Sequence, residues 1–292
     1  DRPPAIVSLL RQHKLLLSTH DPCPYCETPL IRKHDRHLPE GQRLHCRTCD
    51  KNFSVYSYSI FSHTHLTLFE FSQLLCFFDS QLTVTQASKV SGLRMATVSE
   101  IYNKIRHTLK AYNEQHPIIW PKDEIVEFDE TIVQALRDVP HFGSDSRGDP
   151  DERVEGWVIG GVGRNTGLVH LEPITDRRAE TLLAIVNKHV PEHCRVTTDQ
   201  HASYGNLMRT HEYAPTFKYH VGSATYPMPY REPSARFGSW TVHTNTIEGQ
   251  WSLLKSHFHI SHGWPASYVP CVLAEFIYRS RHISLSVALQ AK

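Results

Sequence analysis

The sequence has 292 residues, of which 40% are hydrophobic and 21% charged; this is the composition of a folded protein of about two domains and argues against disorder. A net charge of +1 excludes any argument from overall basicity to nucleic-acid binding. The charge is uneven, however, because residues 1–122 carry a net +5 and the remainder a net −4. A basic N-terminal part and an acidic C-terminal part suit a DNA-binding domain joined to a metal-dependent catalytic domain. Chance unevenness of the sequence is the alternative explanation.

The chain begins with residues 1–19, whose pattern predicts an amphipathic helical lead-in. The apolar run within it, residues 5–17, is interrupted by Arg11, His13 and Lys14 and is not typical of a signal peptide. No stretch approaches the roughly 20 apolar residues of a membrane-spanning helix.

Two Cys-x2-Cys pairs, Cys23/Cys26 and Cys46/Cys49, follow in a polar, basic segment. Each pair can form a tight turn that aims two thiolates at one point, and two such turns complete a tetrahedral Zn²⁺ site. The alternative is four unrelated thiols, and nearby histidines are possible substitute ligands. We predict a lead-in helix and a four-cysteine zinc ribbon over residues 1–60. Such ribbons occur in DNA readers, in polymerase subunits and in purely structural elements, so the ribbon alone does not define a function.

Residues 61–115 have the periodicity of three helices. The first is predicted over Leu66–Ser80, and Thr83 or Thr85 can cap the second, with Ala87 and Val90 facing inward. Ser91 and Gly92 form the turn that follows. The third helix is predicted over 97–109, with an apolar face formed by Val98, Ile101, Ile105 and Leu109.

A small alanine, a glycine turn and an apolar-faced third helix predict an all-α helix-turn-helix DNA-binding domain. The alternative is a plain three-helix packing unit. The exposed face of the third helix would offer groups suited to phosphates and base edges. These candidate DNA-contacting residues are Arg94, Thr97, Ser99, Asn103, Lys104 and Arg106.

Residues 116–292 alternate strand-like and helix-like runs after a proline-bracketed linker at 116–121, which predicts an α/β domain whose first three strands are antiparallel. Residues 138–155 are predicted as a loop and 222–242 as an irregular insertion. The predicted strands are 125–133, 157–162, 168–174, 195–198 and 217–221, and the predicted helices are 181–189, 246–258 and 269–280.

Three acidic residues stand where these elements can bring them together. Asp129 lies in the first strand, Asp199 ends the short fourth strand, and Glu248 lies near the start of a helix. Carboxylates from two strands and a facing helix can surround two divalent cations, and Mg²⁺ prefers such oxygen ligands and shares its shell with substrate phosphate.

The motifs between residues 20 and 280 resemble, in order, those of the Merlin superfamily of DDE transposases and its bacterial insertion-sequence relatives. The most specific is Asn-Thr-Ile-Glu-Gly at 245–249, which continues into Trp251 and then Ser-Leu-Leu-Lys at 252–255. The other matching segments are Lys51–Val55, Glu127–Thr131, Gly156–Gly161, Asp176–Leu182, and Thr198–Asp199 with Tyr204.

The resemblance implies a ribonuclease-H-like catalytic domain and cut-and-paste transposition at terminal inverted repeats. Asp129, Asp199 and Glu248 carry over as the catalytic ligands of two Mg²⁺ or Mn²⁺ ions. It further implies double-stranded DNA as transposon end and target, a homodimer or larger synaptic assembly, and a nuclear location in a eukaryote or a cytoplasmic one otherwise. The alternatives are a domesticated DNA-binding regulator without catalysis and a nuclease that cuts without rejoining.

Several neighbours of the triad have two interpretations. Lys255 lies two helical turns beyond Glu248, on the same face, where it could hold a DNA phosphate. Trp251 could pack beneath Glu248 or be an ordinary core aromatic. The 49 positions between Asp199 and Glu248 exceed the family's usual spacing, which makes Glu232 a rival in a proline-rich stretch.

Strand alternation places Glu127 on the face of Asp129 and Glu130 on the other, where we expect a structural role. Asp176 is interpreted as a helix cap in preference to a residue supporting the metal ligands. His243 and Asn245 could position DNA or a carboxylate, or could simply be turn residues.

Overall fold

The computed structural model describes residues 16–36, 42–60, 62, 64–136, 153–191, 194–199, 218–221, 228–231, 239–260, 264–283 and 285. The chain divides into two compact units: the first extends to Gln115 and also takes in the chain from Ile283, and the second is His116–His282. Within the described ranges, none of the helices combines the length and apolarity needed to cross a bilayer. Most of the predicted lead-in helix, residues 1–15, lies outside the described residues.

The first unit opens with a small antiparallel sheet in which the second strand is central. Leu44 and Phe53 are buried, and the ring of Phe53 stacks on Tyr25 at 6.0 Å between centroids. So small a sheet buries little apolar surface, so a bound metal would add folding energy. The strands are β1 (Ile31–His34), β2 (Gln42–His45) and β3 (Asn52–Phe53).

Three helices follow in this unit, and their ends carry the expected signals. Thr67 and Glu70 form a capping box at the first helix, and Thr83 and Gln86 form one at the second, so Thr83 rather than Thr85 is the cap. Gly92 ends the second helix at φ +74°, a conformation that glycine adopts without strain. The helices are α1 (Leu68–Asp79), α2 (Val84–Ser91) and α3 (Met95–Gln115).

The predicted apolar face of α3 is confirmed, but two side chains of this region lie where the pattern did not place them. Val90 is 64% exposed, because the small Ala87 is the residue of α2 that packs inward. Arg106 is buried instead of exposed; its guanidinium lies 5.4 Å from the ring centroid of Phe78 and 5.8 Å from that of Tyr102. Its long side chain packs across these aromatic rings.

A five-stranded sheet with the order β6-β5-β4-β7-β8 forms the second unit. The first three strands are antiparallel, and β7 and β8 run parallel to β4, so the predicted α/β class and leading antiparallel strands are confirmed. The strands are β4 (Ile125–Leu136), β5 (Arg153–Gly163), β6 (Val169–Ile174), β7 (Arg195–Thr198) and β8 (Lys218–Val221).

Helices pack on this sheet and close its core. The second of them contacts β4 and β5, and the third contacts β6. Phe128 in the central strand meets Trp120 edge to face at 6.0 Å, within a cluster that also takes in Ile247 and Leu254. The helices are α4 (Ala179–His189), α5 (Asn245–Ile260) and α6 (Val269–Ser280), with a short 3₁₀ helix at Ala266–Tyr268.

Two predictions for irregular segments were wrong. Residues 153–155, predicted as loop, belong to β5. Within 222–242, predicted as irregular, β9 (Met228–Arg231) and β10 (Ser239–Val242) pair as a two-stranded antiparallel sheet. The sequence pattern did not predict β9 because it contains Pro229, and proline cannot donate a backbone hydrogen bond to a neighbouring strand and is confined to the edges of sheets. The positions of Tyr204, Phe217, Glu232 and residues 137–152 lie outside the described residues.

Candidate active site

Strand register places two of the predicted carboxylates side by side. β4 and β7 are parallel neighbours, and Phe128 pairs with Thr198. The next residue of each chain segment is acidic, Asp129 in β4 and Asp199 directly after β7. Parallel pairing therefore brings two carboxylates together at the carboxyl end of β7, as the sequence predicted.

The third carboxylate comes from α5, which packs against β4. Glu248 lies in the first turn of this helix and accepts a hydrogen bond from the Thr244 hydroxyl at 3.1 Å. Glu248 and Asp199 both lie close enough to Asp129 for their negative charges to raise its pKa. All three predicted site carboxylates are thus brought together from elements far apart in the sequence.

Trp251, one helical turn after Glu248, binds the site directly. Its indole Nε1 donates to Asp129 Oδ2 at 2.9 Å, and the side chain is only 5% exposed. The ring lies against Gly160 of β5, where an added Cβ would collide with the indole. Of the two interpretations that the sequence left open, neither included this hydrogen bond, which ties the helix bearing Glu248 to the strand bearing Asp129.

The pKa of Asp129 is raised to about 6. Burial is the main cause, and the charges of Asp199 and Glu248 add to it; the Trp251 hydrogen bond and the Glu130 backbone oppose it. A carboxylate that is largely buried next to two others is costly to ionise in the absence of a cation. A divalent metal ion would remove that cost, and hard cations such as Mg²⁺ take carboxylate oxygens as ligands.

Glu127, two residues earlier on the same face of β4, anchors the start of α5. It is fully buried, and its carboxylate accepts the backbone N–H groups of Thr246 at 2.8 Å and Ile247 at 3.0 Å. The Thr246 hydroxyl donates to the same group at 2.8 Å. These N–H groups have no partner within the helix, and a carboxylate at a helix N-terminus is stabilising. Glu127 thereby sets the position of Glu248, a role that the sequence pattern did not reveal.

Arg164 completes this anchor. Its Nε pairs with Glu127, and its Nη2 donates to the backbone carbonyl of His243 at 2.7 Å. The imidazole Nδ1 of His243 lies 3.3 Å from Glu127, while burial and the nearby Arg164 lower the pKa of this histidine. Of the two interpretations of His243, the contact with a carboxylate agrees with the one in which it positions an acidic residue.

Glu130 points to the other face, as predicted. Arg177 donates to its carboxylate through Nε at 2.9 Å and Nη2 at 2.7 Å, and the guanidinium lies 4.4 Å from the ring centroid of Trp157. Burial raises the pKa of Glu130 to about 7, against the opposing effect of Arg177. Asp176 is not the cap of α4 that the sequence predicted, because the N-cap residue is Arg178, which makes no side-chain cap hydrogen bond. Asp176 lies two residues before it and accepts the Arg178 backbone N–H at 2.9 Å and the Thr181 hydroxyl at 2.7 Å.

The candidate DNA-contacting residues have different surroundings. Arg94 and Lys255 are exposed, whereas Thr97, Ser99, Asn103 and Lys104 are half-buried. Lys104 pairs with Glu100 at 3.0 Å, and its amine also lies 3.4 Å from the Ser62 carbonyl. The buried Arg106 has lost the exposure that the prediction required.

In the first unit, the ligand atoms of Cys23, Cys26, Cys46 and Cys49 all lie within 4.8 Å of one another. Sulfur–sulfur distances of 3.6 Å (Cys23–Cys49) and 3.3 Å (Cys26–Cys46) exceed a disulfide bond of about 2.05 Å. They approach the edge of about 3.8 Å of a tetrahedron of sulfurs around Zn²⁺. The hydroxyl of Thr28 lies 3.1 Å from two of the sulfurs. The predicted four-cysteine cluster is therefore present and fits a zinc ribbon.

Comparison with known proteins places the site in context. Residues 122–281, more than half of the chain, match the ISXO2-like transposase domain. The catalytic core domain of HTLV-2 integrase, solved in complex with magnesium, is 9% identical, with 55% of this chain and 83% of that chain covered and a TM-score of 0.29. A chain of the simian T-cell lymphotropic virus intasome, solved with PP2A regulatory subunit B56 gamma, is 13% identical, with 69% and 66% covered and a TM-score of 0.32. No curated protein matches the sequence.

Proposed function

The chain belongs to the ISXO2-like transposase family, and from that premise we propose that it is a cut-and-paste DNA transposase with a two-metal active site. The observation that carries the proposal is the convergence of Asp129, Asp199 and Glu248 from two strands and a helix, with Asp129 held by Trp251. These three carboxylates would hold two Mg²⁺ or Mn²⁺ ions. We assign the second unit a ribonuclease-H-like fold, and the finer placement in the Merlin superfamily remains a prediction.

The residues of the site would position the reacting groups. Two bound ions would activate the attacking oxygen, a water in cleavage or a 3′-OH in strand transfer, and stabilise the leaving oxygen. Trp251 orients the carboxylate of Asp129, and Glu127 holds the helix that presents Glu248. Lys255, exposed on the same helix, would bind a DNA phosphate beside the ions.

The first unit would recognise the transposon ends. We propose that residues 1–60 form a zinc ribbon and 61–115 a helix-turn-helix that bind the terminal inverted repeat, with residues 116–292 as the catalytic domain. Arg94, Thr97, Asn103 and Lys104 are the candidate contacts with DNA, and Arg106 would support them from within the helical core. Because two ends are joined in one event, a homodimer or larger assembly on DNA follows from the chemistry. Its place of action is then the compartment that holds the host's DNA, the nucleus in a eukaryote.

The test is cleavage and joining of a labelled duplex carrying a terminal inverted repeat, in Mg²⁺ and in EDTA. Wild type should give metal-dependent nicks and joined products, and Asp199→Asn should give neither while still binding the duplex. Asp123→Asn is the matched control, because Asp123 lies outside the site at φ +69° and asparagine tolerates that conformation. Wild-type cleavage by Asp199→Asn would refute the assignment.

The same assay separates the alternatives. Tight binding of the correct end sequence without any cut would identify a transposase-derived DNA-binding regulator. Cutting without joined products would identify a nuclease. The retention of all three carboxylates together with Trp251 and the anchor at Glu127 favours catalysis over both.

A further inference from the structure

A second group of potential metal ligands lies in the catalytic unit, apart from the triad. His170 and Glu172 are alternate residues of β6, the outermost strand in the sheet order, so their side chains share one face. His189 is the last residue of α4 and meets them there. Their ligand atoms all lie within 4.8 Å of one another.

Strand register shows that this group faces away from the triad. Asp129 of β4 pairs with Gly160 of β5, and Gly160 pairs with Leu171 of β6. The residue of β6 in line with Asp129 is therefore the apolar Leu171. Glu172 belongs to the next row, with Ile159 and Glu130. Because directly opposed residues of a sheet point to the same side, Glu172 and its histidines lie on the face opposite Asp129.

The distances match those around a small metal ion. Glu172 Oε2 lies 3.2 Å from His189 Nε2 and 3.5 Å from His170 Nε2. Nitrogen and oxygen ligands about 2.1 Å from a tetrahedral Zn²⁺ ion are about 3.4 Å from each other. Both imidazoles therefore present Nε2 to the same carboxylate oxygen at the separations that a shared ion would require.

Two features are unusual for a simple ion-pair cluster. The Nε2 atom of His170 is buried and makes no hydrogen bond of normal geometry, although Glu172 Oε2 lies 3.5 Å away and a buried polar nitrogen normally finds a partner. The rings of His170 and His189 also stack at 3.7 Å between centroids, with 30° between their planes. A shared metal ion would account for both features, because it would bind the Nε2 atom of each ring.

We propose that His170, Glu172 and His189 bind one divalent transition-metal ion, with Zn²⁺ as the preferred ion and a water as its fourth ligand. Two imidazoles and one carboxylate are an established ligand set for Zn²⁺, whereas Mg²⁺ prefers oxygen ligands alone. The ion would fasten the end of α4 to the edge strand. It would be distinct from both the cysteine cluster and the triad.

The competing explanation is an ion-pair cluster. The amine of Lys188 lies 3.7 Å from Glu172 Oε2, and a protonated His189 could pair with the same oxygen. That arrangement would need no metal and would leave the zinc content of the protein unchanged when Glu172 is substituted. Zinc stoichiometry therefore distinguishes the two explanations.

The experiment measures zinc per chain by elemental analysis, on full-length protein equilibrated with Zn²⁺ and dialysed against excess Mg²⁺. The Asp199→Asn background removes one carboxylate of the triad, and the excess Mg²⁺ competes with zinc for the remaining two. Glu172→Gln and His189→Gln should each lose one equivalent relative to their parent, whereas His65→Gln, which removes an exposed histidine in the first unit, should lose none. Each variant is compared with its own parent, so zinc bound by the cysteine cluster contributes equally to both values and does not affect the difference.

Circular dichroism of each variant checks that the fold is kept. If a variant unfolds, Co²⁺ binding to the unsubstituted parent supplies the second measurement, since four-coordinate Co²⁺ with nitrogen and oxygen ligands has a visible spectrum different from that of a four-thiolate site. Equal zinc content in the parent and both variants would overturn the proposal. So would an equal loss in His65→Gln, or a Co²⁺ spectrum with thiolate bands alone.

Discussion

Glu127 and Asp129 lie two residues apart on the same face of one strand, yet their surroundings are opposite. Glu127 is fully buried and receives two backbone N–H groups, a hydroxyl and the Arg164 guanidinium. Asp129 receives the Trp251 indole and a backbone N–H, and it faces two further carboxylates. The negative charge of Glu127 is therefore balanced by hydrogen-bond donors of the protein, whereas Asp129 lies beside two other negatively charged groups.

The difference separates a structural acid, Glu127, from the acid that we propose as a metal ligand, Asp129. Saturating a carboxylate with donors fixes a helix but leaves no oxygen for a ligand. Leaving a carboxylate beside like charges costs stability and reserves it for a cation. Substitutions at the two positions should consequently change the free energy of unfolding in opposite directions.

The largest effect is expected for Asp129→Asn. Cleavage should fall by about 10³-fold or more, because the proposed metal ligand and its charge are lost. The folded-state pKa of about 6 lies above the usual value of 3.8, so the metal-free wild type loses stability as pH rises between these values. The variant lacks this penalty, so its free energy of unfolding at pH 7.5 should be about 1–3 kcal/mol higher than that of the wild type. Urea unfolding in Mg²⁺-free buffer at pH 7.5 and pH 4 measures the free energy of unfolding of both proteins. The variant should be more stable than wild type at pH 7.5 and equally stable at pH 4.

Glu127→Gln should have the reverse effect on stability. It leaves the largely buried Arg164 without its counter-ion and weakens the cap of α5, so the free energy of unfolding should fall by about 2–4 kcal/mol. The measurement is urea unfolding beside Glu180→Gln, which changes a carboxylate in the first turn of α4. A loss no larger than that of the control would contradict the assigned anchor.

Gly160→Ala should cost about 1–3 kcal/mol, because the added methyl group collides with the indole of Trp251 and with Leu171. Gly156→Ala, in the same strand with nothing within 4 Å of its Cβ position, is the matched control. Thermal unfolding compares the two, and cleavage should decline only in Gly160→Ala. Equal stability of both variants would show that the indole does not need this space.

The smallest effect is expected for Trp251→Phe. It keeps most of the buried ring but removes the N–H that holds Asp129, so cleavage should fall by about 10-fold and the Mg²⁺ requirement should rise. Stability should change by only about 1 kcal/mol. A titration of cleavage against Mg²⁺ checks this; an unchanged Mg²⁺ dependence would reduce Trp251 to a packing residue.

The sequence predicted the α/β order well, because that order depends on local patterns, and the structure brings the three carboxylates of the predicted triad together. Strand alternation sorted Glu127 from Glu130, and a short strand ending in an acid identified Asp199. It did not predict that Glu127 binds the start of α5, since that contact joins residues 119 positions apart. Arg106 was misplaced for a different reason: charge predicts exposure, but its stem packs over aromatic rings.

The same distance along the chain has a consequence for biosynthesis. The backbone N–H of Thr246 can reach Glu127 only after the intervening chain has been made and folded, because its partner lies 119 residues earlier. Glu248 and Trp251 then arrive with the same helix. A chain that ends before α5 therefore contains Asp129 and Asp199 but lacks Glu248 and Trp251, so the three carboxylates come together only when the last part of this unit has been made.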